Sequence, residues 1–200
     1  MTLTLAVGRP TLADRIFTRK LVTDVVLVAS GAALVSLAAQ VTIPLPLVPI
    51  TGQTLAVLVV GSALGASRGA ISMVLYALLG LAGLPVFAPE DDGSHVLGVT
   101  ALLGSSGGYI IGFIFAAAVT GWLAQRTWDR RVLGAFVSMS AGTLVTFAVG
   151  LPWLAASLGL TLEQTLEAGL YPFLIGGVIK ALLAAGILPL AWKLSSKRDR

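Results

Sequence analysis

"VVLVASGAALVSLAAQVTIPLPLVPITGQTLAVLVVGSALGAS", residues 25–67, runs for 43 residues without an Asp, Glu, Lys or Arg. About 20 apolar residues suffice for a helix to cross the hydrocarbon core of a membrane. The run is therefore too long for one such helix and long enough for two. It breaks at "IPLPLVPITG", where Pro44, Pro46 and Pro49 remove amide donors and push the residues before them toward extended conformations. The reading is a helix over 21–40, a structured loop over 41–51 and a second helix over 52–66.

Working outward, residues 69–89, 96–125 and 132–162 are also free of formal charge. Only 11% of the chain is charged, against about 25% in a typical soluble domain, and the mean hydropathy is +0.95. These features predict an all-α integral membrane protein, a compact bundle of six transmembrane helices. The remaining four are expected at 69–84, 107–125, 132–157 (with a kink at Pro152) and 171–193. Residues 1–20 then form an N-terminal segment, 21–193 the membrane domain and 194–200 a basic tail. The N-terminal segment has only a brief apolar start and lacks the apolar core of a signal peptide, so the first helix is expected to act as an uncleaved start-transfer segment.

The basic residues test this count. Arg9, Arg15, Arg19 and Lys20 precede the first helix, and Arg68 lies between the second and third. Arg126, Arg130 and Arg131 lie between the fourth and fifth, and Lys193, Lys197, Arg198 and Arg200 follow the sixth. With six crossings all of them fall on one face, which the positive-inside rule makes cytoplasmic, with both termini there. The opposite face holds Glu90, Asp91, Asp92, Glu163 and Glu167. The net charge of +4 thus serves topology and anionic membrane lipid and implies no nucleic-acid partner. Asp24 is expected to make a local pair with Lys20, four residues earlier on the same helix face.

Lys180 is the exception, a lysine inside "YPFLIGGVIKALLAAGILPLAWKL", residues 171–194. Nine residues at 1.5 Å rise put it roughly 14 Å into its helix, near the middle of the membrane, where a charge costs about 2.5–3.5 kcal/mol on insertion scales. Either neighbouring carbonyls and helices satisfy it, or it lines a polar cavity and meets an anionic group of a substrate, or its amine is neutral. Gly176 and Gly177, one turn earlier, leave room for a ligand or a close helix. Thr51, Gln53 and Thr54 at the start of the second helix, Ser105, Ser106 and Tyr109 at the start of the fourth, and Tyr171 at the start of the sixth fall at one end of the bundle. They predict a single cavity, with Phe87 and Trp153 as apolar walls.

Other classes fit less well. "GSSG", residues 104–107, matches the pattern around the nucleophile of rhomboid-type proteases, but the single histidine, His95, lies upstream of it. No P-loop is present, nor the charged rings of a channel. The chain has no cysteine, so disulfides and cysteine metal sites do not arise. No metal and no cofactor are expected, and the chain does not read as an enzyme.

"QVTIPLPLVPITGQTLAVL", "GLPVFA", "LLGSSGGYIIGF" and "YPFLIGGVIKALLAA", in this order and spacing, resemble the BioY family across residues 21–193. The family comprises the biotin-capturing S components of energy-coupling-factor vitamin transporters in prokaryotes. The resemblance implies a membrane-embedded biotin-binding subunit of the prokaryotic inner (plasma) membrane. It would be energised by a transmembrane coupling subunit and two cytosolic ATPase subunits. The alternatives are an S component for a related carboxylated vitamin or solute, or a solitary low-affinity biotin transporter. Small residues on the first helix of such subunits meet the coupling subunit, which singles out Ala29 and Ala33. The family's last helix has an acid three residues before its lysine, and this chain has Gly177 there. The resemblance implies Lys180, Gln53, Tyr109, Ser106, Phe87, Trp153 and Gly177 as the substrate-binding set.

Overall fold

A computed structural model describes residues 4–90 and 92–196, with the side chain of Ser196 also set aside. Asp91, Lys197, Arg198 and Arg200, used above to read topology, lie outside the described residues. The helices are α1 (Leu12–Ile16), α2 (Leu21–Ala39), α3 (Gln53–Leu64), α4 (Ala66–Leu81), α5 (Gly98–Leu103), α6 (Gly107–Ala124), α7 (Val132–Leu158), α8 (Leu162–Gly169) and α9 (Tyr171–Ser196). A two-stranded antiparallel hairpin, β1 (Thr42–Ile43) and β2 (Ile50–Thr51), pairs Thr42 with Thr51 and Ile43 with Ile50. The prolines of residues 44–49 form the loop of that hairpin, where no ladder amide is needed.

Four helices, α2, α6, α7 and α9, are long and apolar enough to cross a membrane by length and composition, while α3 and α4 are shorter. The short pair meets at Gly65, whose φ of 88° is left-handed and lets one helix end and the next begin within one residue. That places the start of α4 at Ala66, three residues before the sequence expectation. Pro152 sits inside an unbroken α7. The short helices α5 and α8 occupy connections that the charge pattern left as loops.

The centre of the bundle is α6, packed against α3, α4 and α7. Close approach needs glycine there. A Cβ on Gly61 would stand 2.5 Å from the Ala117 carbonyl oxygen, and one on Gly121 would stand 2.4 Å from the Ala66 nitrogen. Small residues are what let helix backbones pack this tightly where lipid offers no hydrophobic drive between helices. By contrast, α2, α7 and α9 turn large apolar side chains outward, among them Leu37, Leu144 and Ile175.

One end of the bundle gathers both ends of the described chain, and Arg68 organises it. Only 2% exposed, its Nη2 donates to Asp14 Oδ1 at 2.8 Å and to Thr11 Oγ1 at 3.1 Å. Its Nη1 donates to Asp24 Oδ1 at 3.1 Å, and its Nε to the Leu64 carbonyl at 2.9 Å. The other oxygen of Asp24 accepts from the Thr4 hydroxyl and the Leu5 amide, both at 2.7 Å. Asp24 therefore pairs across the bundle with Arg68, and the expected local pair with Lys20 is corrected. A fully buried carboxylate needs partners that stay with it in low dielectric, and the exposed Lys20 stem offers water a better competitor than a buried guanidinium does.

These bonds strap residues 4–16 beneath α2, α3 and α4. Burial opposes ionisation of Asp14, but hydrogen bonds from Arg19 and the Thr11 amide, with the nearby Arg68 charge, hold its carboxyl below the usual carboxylate range. Trp192, near the end of α9, closes the same end. Its indole N–H donates to Asp129 Oδ2 at 2.6 Å, and the Arg130 guanidinium lies 4.3 Å from its ring centre with Arg15 at 5.9 Å. Burial pushes the Asp129 carboxyl up, against the indole bond that lowers it.

Arg68→Ala would leave Asp24 buried without its cation, at an expected cost of about 3–5 kcal/mol. Arg19→Ala removes a partly exposed partner of the same cluster and is expected to cost at most about 1 kcal/mol. Thermal unfolding of the two purified variants in detergent measures the contrast, and equal losses would contradict the assignment of Arg68 as the organising cation.

Candidate functional site

At the opposite end a cavity of about 200 Å³ lies under the hairpin loop and the α4–α5 connection. Small-molecule pockets usually span about 300–1,000 Å³, so this one suits a compact ligand. Its roof is Leu45–Pro49 together with Phe87–Glu90 and Val96. Its walls come from α5, α6, α7 and α9, with Tyr109, Ile110, Phe113, Phe147 and Phe173 as the apolar body.

Lys180 reaches it from α9. Its Nζ donates to the Thr51 carbonyl at 2.5 Å and to Thr54 Oγ1 at 2.8 Å. No carboxylate of the described residues lies within ion-pair distance of it. The lysine thus ties α9 to the junction of β2 and α3, and an ammonium has three donors, of which two are engaged. From Thr51 the polar chain continues inward. The Thr51 hydroxyl donates to Gln53 Oε1 at 2.9 Å, and Gln53 Nε2 donates to the hydroxyl of Tyr76, which is fully buried on α4. The chain Lys180–Thr51–Gln53–Tyr76 therefore joins three helices through polar side chains inside an apolar bundle, where each bond counts for more than in water.

The roof is pinned by two more bonds. Ser105 Oγ donates to the Leu47 carbonyl at 2.5 Å, joining the hairpin loop to the start of α6. The Trp153 indole donates to the Gly104 carbonyl at 3.0 Å, fixing the α5–α6 joint to α7. Phe87 is wedged beneath the α4–α5 connection, its ring edge-on to Tyr76 at 5.3 Å and 81°. Gly80 makes the space, since a Cβ there would meet that ring at 2.0 Å. Tyr109 stacks on Phe173 at 6.4 Å and donates its hydroxyl to the Gly169 carbonyl at 2.9 Å.

Of the side chains singled out by sequence, Lys180, Gln53, Tyr109, Ser106 and Phe87 line this one cavity. Trp153 does not line it; it supports the α5–α6 joint from behind. Gly177 opens instead on an adjoining recess of about 20 Å³ that also touches Lys180, and a Cβ on it would meet only Thr143 Cγ2 at 3.9 Å. Tyr171 is turned outward. Sequence reasoning passed over Thr143, Thr146, Phe147 and Phe173, which lie mid-helix in apolar runs and carry no local signal. It also passed over Glu90, read only as part of an acidic loop.

A family model described as "BioY family" matches residues 9–197. The chain belongs to the BioY family. It is 34% identical over 166 residues to the biotin transporter BioY of Thermotoga maritima, covering 83% of this chain and 94% of that protein. It is 34% identical over 172 residues to the biotin transporter BioY of Rhizobium etli, covering 81% and 89%. It is 32% identical over 157 residues to the biotin transporter BioY2 of Lactococcus lactis, covering 78% and 83%. Among solved structures it superposes on the S-component for biotin from an ECF-type ABC transporter, with a TM-score of 0.74 at 27% identity, covering 86% of this chain and 92% of that one. Family membership and the apolar helices together make this a multi-pass membrane protein, and a transporter component rather than an enzyme.

Proposed function

We propose that the protein is the biotin-binding subunit of a biotin uptake system. The observation that carries this reading is the enclosed cavity with a single buried-end cation, Lys180, facing an aromatic and aliphatic body. Biotin is complementary to it: a compact apolar bicycle with a carboxylate at one end and a hydrogen-bonding ureido group at the other. The polar chain from Lys180 to Tyr76 lies where an oriented acceptor is needed. Gln53, Tyr109, Ser106 and Phe87 complete the substrate-binding set. Trp153 acts on it through the α5–α6 joint, and Gly177 leaves the recess beside the lysine open.

Binding of labelled biotin to the detergent-purified protein is expected at micromolar concentration or tighter, and its absence there would sink the reading. Lys180→Ala is expected to weaken it at least about fivefold, the worth of one charge-assisted bond.

The bundle is taken to cross the prokaryotic inner membrane six times, with α2, α3, α4, α6, α7 and α9 as the crossings and both termini cytoplasmic. The segregation of Arg9, Arg15, Arg19, Arg126, Arg130 and Arg131 from Glu90, Asp92, Glu163 and Glu167 supports this. Because the chain lacks cysteine, single cysteines report without background. A cysteine at Ser94 should react with a membrane-impermeant maleimide on whole cells, and one at Arg126 only after lysis. The reverse pattern would invert the topology.

Energy is taken to come from a transmembrane coupling subunit and two cytosolic ATPase subunits. Ala29 and Ala33 support a docking face for the first of these, since both are exposed on α2 one turn apart and small residues admit a second helix closely. Ala33→Trp is expected to abolish co-purification with the coupling subunit while biotin binding stays intact. Undiminished co-purification would remove this face from the interface.

A further inference from the structure

Two charged residues line the cavity, Lys180 from α9 and Glu90 from the α4–α5 connection. They make no ion pair with each other. Lys180 has a carbonyl and a hydroxyl for partners. Among the described residues the Glu90 carboxylate has neither a hydrogen bond nor an ion pair, whereas Asp14, Asp24 and Asp129 at the other end of the bundle are all held.

Glu90 is nevertheless well placed in its backbone. Its amide donates to the Ser94 carbonyl at 2.8 Å and its carbonyl accepts from the Gly93 amide at 3.0 Å. Asp92 Oδ1 takes the Ser94 amide at 2.8 Å, so residues 90–94 close on themselves as a tight turn. Three residues earlier, Phe87 is wedged against Tyr76 and Gly80, and its carbonyl accepts from Gln40 Nε2 at 3.4 Å. The carboxylate is thereby carried at the cavity rim by an anchored loop.

The cavity is therefore dipolar, a donor cation on one wall and an acceptor anion on another. A ligand that satisfies both has an acceptor group at one end and N–H donors at the other. We infer that Glu90 is a specificity-determining residue of the cavity, accepting the N–H groups of the solute whose acceptor end faces Lys180. The inference rests on the biotin reading above and deepens it by orienting the ligand. The valerate carboxylate faces Lys180, and the two ureido N–H groups, which point the same way, meet the two oxygens of Glu90, an arrangement that suits a carboxylate. The same residue disfavours a solute with a second anion, because like charges brought together across an interface are repelled.

The test is equilibrium binding to the full-length protein in detergent, for the wild type and Glu90→Gln and Glu90→Ala, with two ligands. One is labelled biotin. The other is lipoate, used as competitor, which keeps a five-carbon carboxylate chain but carries a dithiolane without any N–H. Glu90→Ala should weaken biotin on the order of tenfold, the worth of hydrogen bonds to a charged group, with Glu90→Gln between it and the wild type. Competition by lipoate should be unchanged in both, so that the selectivity ratio falls. Unchanged biotin affinity in Glu90→Ala would overturn the inference while leaving the biotin reading in place. So would an equal loss for both ligands, which would make Glu90 a shaper of the loop. A wild type that binds no biotin removes the biotin reading and this inference together.

Discussion

The two buried cations of this bundle obey the same constraint and reach opposite solutions. A charged group withdrawn from water must be surrounded by partners or it costs several kcal/mol. Arg68 meets that demand completely, with two carboxylates, a hydroxyl and a carbonyl. Lys180 meets it only in part, with neutral oxygens of Thr51 and Thr54. Removing the first would unfold a corner of the protein, while the second has unspent capacity. The distribution of structure and function follows that difference. One end is locked by charge, and the other is held by neutral bonds that leave a cation free to respond to an arriving solute.

Between the two ends lies a scaffold built for closeness. The contact of α6 with α3 and α4 is set by Gly61 and Gly121, positions where a methyl group would collide with backbone. Such packing makes the centre stiff, so adjustments fall to the roof, where single hydrogen bonds from Ser105 and Trp153 hold the loops. Each neutral bond of this kind contributes only about 0.5–1.5 kcal/mol net, within reach of the binding energy of a small ligand. The helix that carries Lys180 also carries Trp192, which is joined to Asp129 at the locked end. A shift of α9 at the cavity is therefore felt at the strap of residues 4–16 through Arg15, which stacks over the same indole.

How much of this was legible in the sequence depends on how local each signal is. The proline loop and the charge-free runs are local, and the boundaries of α2, α3 and α6 follow from them. Lys180 stands out because nothing near it in sequence shares its charge, and Gln53 because a polar amide opens an apolar helix. Asp24 misled for the same reason, since Lys20 four residues away offered a local explanation, whereas its partner Arg68 is 44 residues distant. Trp153 reads as a pocket wall by depth alone, yet depth does not fix azimuth, and its side chain turns toward Gly104. Thr143, Phe147 and Phe173 could not be singled out among the many apolar and hydroxyl residues of α7 and α9, because only the packing of helices decides which face looks inward. Glu90 lay in an acidic stretch, where the ordinary reading is a solvated loop, and only the fold of residues 82–97 over the cavity separates it from Asp92.

The manner in which Lys180 is held also constrains how a ligand engages it. The ammonium has two of its three donors committed to the base of the hairpin, so an acceptor that takes the third adds to the network without releasing the roof. An acceptor that displaces the Thr51 carbonyl would instead free β2, and with it the loop of prolines that covers the cavity. The first mode favours a closed, occupied state, because the ligand then becomes one more partner of a cation already joined to its own lid. An arginine at position 180 would lack this economy. Its planar fork fixes the directions of its donors, whereas a lysine can rotate its three about the Cε–Nζ bond. A rotating donor set lets one residue anchor the lid and receive the solute, which explains why a group so costly to bury stands in the middle of α9.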